Sequence, residues 1–454
     1  MTDHDATPSA TLAKWAATVR PDDIPDRVRE RTSQLITDAI GSALAGRHSA
    51  EVGQIEKVAA YLAPGVDATV IGGGRSSRLG ATLRNAYEIT ALTVCDVYRP
   101  NHMHVTPEVV PPALAVGEGR GVTGADFVTA VAVGLEVTVR IARAIDYQTF
   151  RARGWHSPGI LGPFGGAASA GRLLGLDDER MRWALGLAGS QAAGTFAQWG
   201  TPTVKFHQAR GAVSGLLAAS MAAQGFRSSD EILAHPDGGL FATYAEGADA
   251  GAVCAGLGEE WELERISMRL WPMASLIQGV ISGVFDLIAE HDLVPGQVRR
   301  MRIGLAQSTH RMHGEIGWED RFRALLSTRW SAAVVLHDRD CWVEQFDPER
   351  LTDPVVSAFA RDRIEVVVDD SLPTVGAVVE ADLVGGGQVS VRRDFPKGDT
   401  ADPLTADEIV GKFRRGARGV IDEDAAERAL AILGALAELG NVDELMLVLG
   451  ENPS

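Results

Sequence analysis

Lysine is scarce in this 454-residue chain: five (Lys14, Lys57, Lys205, Lys397, Lys412) stand against 38 arginines. Positive charge as a whole is also short. Forty-three basic residues face 60 acidic ones, a formal net charge of −17, which excludes a general binder of nucleic acid. Cysteine is nearly absent. Cys95, Cys254 and Cys341 are odd in number and far apart, which argues against a disulfide framework and a structural zinc cluster. No apolar run reaches the ~18 residues of a membrane-spanning helix. The first ten residues are polar and acidic, unlike a secretory signal. These absences predict a cytoplasmic protein in a reducing setting, with neither a membrane nor a nucleic-acid partner.

What is present is ordinary for a globular chain, with 45% hydrophobic and 23% charged residues. The length predicts two or three domains. Up to Ile266 the pattern is helical. Asp23-Ile24-Pro25-Asp26 reads as a helix start, and Val28, Leu35, Ile36, Ala39, Ile40, Ala43 and Leu44 follow a 3.6 period. Residues 68–71 and Gly72-Gly73-Gly74 read as a short strand and a turn. Helices are expected at 79–96, 110–118, 124–144, 159–174, 178–193 and 209–224. After Ser267 alternation takes over: Met301, Ile303, Leu305, then Ile364, Val366, Val368. Residues 377–384 and 388–392 flank Gly385-Gly386-Gly387 as a hairpin, and helical stretches at 275–290 and 324–336 sit among the strands. From Thr405 the chain is helical again. The expected class is mainly α with an α+β insert: a helical domain from 1–267 and 397–454, and an α+β domain over 268–396.

Four segments hold chemistry-bearing residues. The first, 96–107, carries Asp96, Tyr98, Arg99, His102 and His104 in a proline-punctuated loop. Histidine is the usual acid/base group at neutral pH; the plainer alternative is a solvated loop. The second, 151–159, holds His156 before Gly159, Gly162, Gly165 and Gly166. No Lys-Ser/Thr follows these glycines, so close helix packing explains them better than a phosphate loop. The third, 199–209, holds Lys205 and His207 just ahead of the 209–224 helix. A helix start disfavours a cation, which favours a specific role over a surface lysine. The fourth, 269–278, holds Arg269 and Gln278 where the two domains join; an arginine beside tryptophan is more often structural. H-E-x-x-H and H-x-x-E-H are absent, and His310 and His313 lack a third ligand, so no metal is expected. G-x-S-x-G is absent too.

In this order the segments resemble the MmgE/PrpD family, which includes 2-methylcitrate dehydratase, cis-aconitate decarboxylase and iminodisuccinate epimerase. Gly154-Trp155-His156-Ser157-Pro158-Gly159 is similar to the family's G-[FW]-H-x-T-G. The run from Ala184 to Gly194 is similar to its A-L-G-I-A-G-S-Q-A-S-G. Lys205-Phe206-His207-Gln208-Ala209 is similar to its K-x-x-H-A element, and His104 with Val109-Val110-Pro111-Pro112-Ala113 to its H-P-x-x-x-[IV]-[IL]-P-A. The resemblance implies a helical domain built from both chain ends and an α+β lid, with the pocket between them. It implies a homodimer, no organic cofactor and a small, anionic substrate. By position it implies a pocket of Asp96, His104, His156, Lys205 and His207 with Arg269, in which His104, Lys205 and Asp96 are expected to be catalytic; Tyr98, like Arg99 and His102, is an addition of this chain and is expected to join the catalytic set. His102, Arg99, His156, His207, Arg269 and Gln278 would contact substrate.

The chain also departs from the family. The D-x-D-D-T run appears as Thr93-Val94-Cys95-Asp96-Val97. A family histidine is replaced by Gln278, which cannot transfer a proton at neutral pH. F-S-L-P-Y appears as Leu326-Ser327-Thr328-Arg329-Trp330. The leading expectation is a cofactor-independent lyase, a dehydratase or decarboxylase that works by proton abstraction next to a carbonyl or carboxyl group. The alternatives are an isomerase, epimerase, tautomerase or cyclase with a rebuilt pocket, or a non-catalytic ligand-binding relative.

Overall fold

The computed structural model describes residues 7–451 and divides the chain into two units. The first takes the described residues up to Ala91, Cys95–Ile266 and those from Ala406 onward. The second takes Leu92–Val94 and Ser267–Thr405. The N-terminal stretch read as polar lies, as far as Ala6, outside the described residues. The class is as the periodicities predict: mainly helical, with a smaller α+β unit. Among the described residues no helix is long and apolar enough to cross a membrane.

The first unit opens with α1 (Pro8–Thr18), α2 (Asp26–Gly46) and α3 (Val52–Leu62). Strands β1 (Ala68–Thr69) and β2 (Arg75–Ser76) pair antiparallel around the three glycines. Then come α4 (Arg78–Ala91), α5 (Thr106–Gly117), α6 (Gly124–Arg143), α7 (Tyr147–Ala152), α8 (Ser157–Leu173), α9 (Asp178–Gly189), α10 (Thr203–Ala223) and α11 (Leu240–Tyr244). Caps explain several starts. Thr123 accepts from Asp126 N–H before α6, and Asp177 accepts from Arg180 N–H before α9.

The glycines of α8 serve close packing. A Cβ on Gly165 would lie 2.0 Å from Thr138 Oγ1 of α6, and one on Gly166 would lie 2.7 Å from the Glu108 carbonyl of α5. From α10, a Cβ on Gly215 would lie 2.6 Å from Ala167 N. Any side chain there forces the helices apart.

Several boundaries differ from the expectation, three of them next to candidate site residues. The helix expected to reach 96 stops at Ala91, and Thr93 turns the chain with φ 57°. α5 starts at Thr106, not 110, because Pro107 occupies its first turn, where a missing N–H costs nothing. α10 starts at Thr203, not 209, so Lys205 and His207 lie inside its first two turns.

In the second unit α12 (Gln278–His291) is followed by β3 (Val298–Leu305), α13 (Gln307–His313), α14 (Arg321–Ala324), α15 (Thr328–Asp338), α16 (Pro348–Leu351), α17 (Pro354–Asp362), β4 (Ile364–Val368), β5 (Ala377–Leu383) and β6 (Gln388–Arg393). The sheet order is β4-β3-β5-β6. β3 and β4 run parallel with Met301 opposite Ile364, and the other pairs are antiparallel. Helix α12 covers one face, with Gly283 close to Val379 of β5. α17 is an element the periodicity does not reveal; Asp353 caps it by accepting from Val355 N–H and Val356 N–H. The unit continues to Thr405 because Met268 N–H donates to Gly398 O and Arg393 pairs with Asp402.

The chain then returns to the first unit as α18 (Ala406–Ala417), α19 (Glu423–Gly434) and α20 (Asp443–Leu449). α18 packs on α2, where a Cβ on Gly416 would lie 2.3 Å from Gly41 O. Lys412 Nζ meets Asp38 Oδ1 at 2.5 Å, with both side chains buried. Removing one partner leaves a buried charge, so Lys412→Met should cost about 3–5 kcal/mol in chemical unfolding. Adding Asp38→Leu should recover much of that loss. A single-variant cost below about 1 kcal/mol would show that the pair is not needed.

Candidate active site

Asp96 is fully buried. Its carboxylate accepts from Val105 N–H at 2.8 Å, from Thr106 N–H at 3.2 Å and from the Thr106 hydroxyl. It therefore caps α5. Burial pushes the carboxyl up to about 6, although these donors pull the other way. Between Asp96 and α5 the chain folds back on itself. Tyr98 and Met103 exchange backbone hydrogen bonds of 2.7 and 3.0 Å, and His102 sits at the turn with φ 47°. The Ser157 hydroxyl at the start of α8 donates to Asn101 O at 2.7 Å.

This turn places His104, whose Nδ1 is 2.7 Å from the Asp96 carbonyl oxygen. A carbonyl can only accept, so Nδ1 carries the hydrogen. In the neutral ring the lone pair is then on Nε2, the nitrogen that can take a proton.

A second group lies where α8 and α10 begin. His156 precedes α8 and His207 is in the second turn of α10; their Nδ1 atoms are 2.9 Å apart. One must donate and the other accept, so the two rings hold opposite tautomers. Only one of them can be charged at a time. Loss of water, then the charges of His207, Lys205 and Arg151, take His156 down to about 3. His207 is lowered by burial and then by Arg210. Lys205 is buried in the first turn of α10. Arg151 lies 3.2 Å over the Phe196 ring, which meets His156 edge-on. His102 packs tilted against Tyr147 with ring centres 5.0 Å apart, and burial, then Arg99, takes it to about 4. At neutral pH the three rings are uncharged, and Arg99, Arg151 and Lys205 supply positive charge.

The other expected residues are placed differently. Tyr98 is buried, and its hydroxyl donates to Glu262 Oε2 at 3.0 Å. Burial, then the Glu262 charge, pushes the phenol up. Glu262 also pairs with Arg143 and Arg265. The hydroxyl is thus engaged in a structural network. Arg269 and Gln278 belong to the second unit, both buried. There Gln278 Nε2 donates to Trp271 O at 2.8 Å and to Met273 O at 3.1 Å, and Arg269 Nη1 donates to Met273 O at 3.4 Å. Gln278 Oε1 is enclosed without a protein donor.

Sequence reasoning missed Thr106, Glu108 and Arg210. Both carboxyl oxygens of Glu108 are enclosed without a hydrogen-bond partner. Burial, then the Asp96 charge, lifts Glu108 well above the usual carboxylate range. Its signal was a lone acid in the apolar Thr106–Gly117 run. Among the described residues no three His, Cys, Asp or Glu side chains gather as a metal would require.

The MmgE/PrpD N-terminal domain matches residues 10–252, and the MmgE/PrpD C-terminal domain matches residues 271–438. The chain belongs to the MmgE/PrpD family. Curated relatives are similar over almost their whole length. Cis-aconitate decarboxylase of Aspergillus terreus is 26% identical over 97% of this chain and 95% of its own. Cis-aconitate decarboxylase-like protein oryM of Aspergillus oryzae is 27% identical over 99% and 100%. The human cis-aconitate decarboxylase is 25% identical over 95% and 92%.

The packing around Glu108 in this MmgE/PrpD chain is testable. A Cβ on Gly162 would lie 2.4 Å from Glu108 Cγ. Alanine gains about 1 kcal/mol of helix propensity over glycine, but overpacking costs about 1–3 kcal/mol. Gly162→Ala should therefore lower the thermal midpoint, and Glu108→Ala in the same chain should raise it again. Independent effects of the two substitutions would refute the contact.

Proposed function

We propose that this protein decarboxylates a small polycarboxylate of the cis-aconitate kind, with His104 as the acid/base group and Lys205 holding a substrate carboxylate. The observation that carries this reading is the near full-length similarity to proteins named cis-aconitate decarboxylase. Family and relatives together make the chain an enzyme of the lyase type. The geometry supports the finer reading. When the carbon–carbon bond to the leaving carboxylate breaks, carbon dioxide departs and an electron pair stays behind. That pair spreads into the adjoining unsaturated carboxyl system and is quenched by a proton. Protonated His104 supplies it from Nε2, while Nδ1–H stays on the Asp96 carbonyl before and after. The ring does not have to turn. The buried Lys205 ammonium stabilises the developing negative charge at low dielectric, where a preorganised cation counts most. This scheme uses no cofactor. Three free thiols fit a cytoplasmic setting.

Gln278 disfavours a dehydratase, whose departing hydroxide needs a proton that a glutamine cannot donate, and leaves an isomerase as the second reading beside the decarboxylase. Proton removal and return at one carbon, as in an epimerase, needs no such donor. Incubation with cis-aconitate in deuterium oxide separates the two. Decarboxylation should release carbon dioxide and leave one deuterium in the product. Deuterium in recovered substrate without gas release would establish the isomerase reading instead. His104→Ala and Lys205→Met should each lower kcat about 10²–10⁴-fold; full turnover in both would refute their roles.

We also propose that the chain assembles as a homodimer. Val58, Tyr61 and Leu62 expose one apolar stretch of α3. Light scattering on the eluting protein should give twice the mass of the chain, and Tyr61→Glu with Leu62→Glu should shift it to one.

A further inference from the structure

Pro163 interrupts the hydrogen-bond ladder of α8. It has no N–H, so the carbonyl of Gly159, four residues earlier, loses its helical donor. Two donors from outside the helix replace it: Ala193 N–H at 3.1 Å and Arg210 Nη2 at 2.7 Å. Arg210 stands on α10, one turn after His207. The same guanidinium donates to Ala193 O at 2.8 Å, to Gln191 O at 2.6 Å and to the Ser214 hydroxyl at 3.2 Å.

One planar fork thus ties together three pieces of chain. The first is the start of α8, which His156 precedes. The second is the turn after α9, residues 190–194. The third is α10, which carries His207. The turn underlies both rings. Gly194 O accepts from His156 N–H at 3.1 Å, and a Cβ on Gly194 would lie 3.2 Å from His207 Nδ1. Gly194 also has φ 146°, so an added side chain would be strained as well as crowded.

We propose that Arg210 is a positioning residue: it fixes the relative placement of His156 and His207, and with it the shared hydrogen between their Nδ1 atoms. The catalytic consequence rests on the active-site reading above; the placement of the rings does not. Arginine suits the task because its donors lie in a rigid plane and reach separate carbonyls at once. The donors of lysine all lie on one nitrogen and cannot span them.

The test uses the full-length protein with nitrogen-15-labelled histidine. The wild type should show one downfield imidazole Nδ1–H resonance for the His156–His207 pair, protected from solvent exchange. In Arg210→Lys and Arg210→Met that resonance should vanish or exchange at least about tenfold faster. Gly194→Ala should disturb it in the same way with Arg210 intact. Misplacement of this size costs about 100-fold in kcat, with KM changed less than about threefold. Arg172→Met is the control. Arg172 pins the carbonyls of Ala17 and Val19 from the other end of α8, so its loss should lower the melting temperature and leave the resonance and kcat in place. A resonance unchanged in both Arg210 variants would overturn the proposal, whatever substrate the enzyme takes. A lost resonance with unchanged kcat would overturn the catalytic part. If the wild type turned over no carboxylate, the reading of function would fail while the resonance still decided the role of Arg210.

Discussion

Helix α8 runs against α5, α6 and α10 at distances that leave no room for a side chain at Gly165 and Gly166. That close approach governs what the first unit can contain. Polar groups caught between the helices meet no solvent, so each must be bonded within the protein or lose its charge. Glu108, whose carboxyl oxygens have no hydrogen-bond partner, is pushed toward the second course, its pKa lifted well above the usual carboxylate range by burial. The Gly159 carbonyl takes the first, receiving Ala193 N–H and Arg210. The same packing fixes where α8 and α10 begin, which is where His156, Lys205 and His207 stand.

Burial also sorts the charges. Imidazoles titrate near neutrality when hydrated, and withdrawal of water pulls His102 and His156 far below that. Arginines keep their protons in such surroundings. A chain with a net charge of −17 can therefore hold Lys205 and Arg151 as positive charges near His156, and Arg99 near His102. The scarcity of lysine does not by itself single out Lys205. Lys412 is as deeply buried, and Asp38 lies against it. The neighbours of Lys205 that feel its charge include an imidazole already driven to its neutral form.

Much of the fold was legible because helical and alternating periods report burial directly. The strands at 298–305, 364–368 and 377–383 follow that rule, as do α2, α6 and α9. The starts of α5 and α10 were not legible. Pro107 resembles a loop signal in sequence, and Lys205-Phe206-His207 interrupts the apolar pattern although two of the three face inward. The histidines and Lys205 could be found from their types and neighbours. Arg210 could not, since its meaning depends on Pro163, whose missing N–H frees a carbonyl distant in sequence. Asp96 was legible as a candidate but not as a helix cap, because a carboxylate reads the same in either role. Tyr98 was legible as a phenol, and only the fold shows that Glu262 holds it.

Asp96 serves His104 through its backbone, and that choice has chemical weight. A carboxylate on Nδ1 would stabilise the imidazolium and raise its hold on the proton. A main-chain carbonyl fixes the same tautomer with a weaker pull, and the Asp96 carboxylate is turned instead toward the start of α5. In the mechanism proposed above, His104 gives its Nε2 proton while Nδ1–H stays on the Asp96 carbonyl. Thr93, Val94 and Cys95 leave Asp96 as the one acid of the family's acidic run. What looks in sequence like decay of a motif leaves Asp96 as the retained acid, and its carboxylate holds the start of α5.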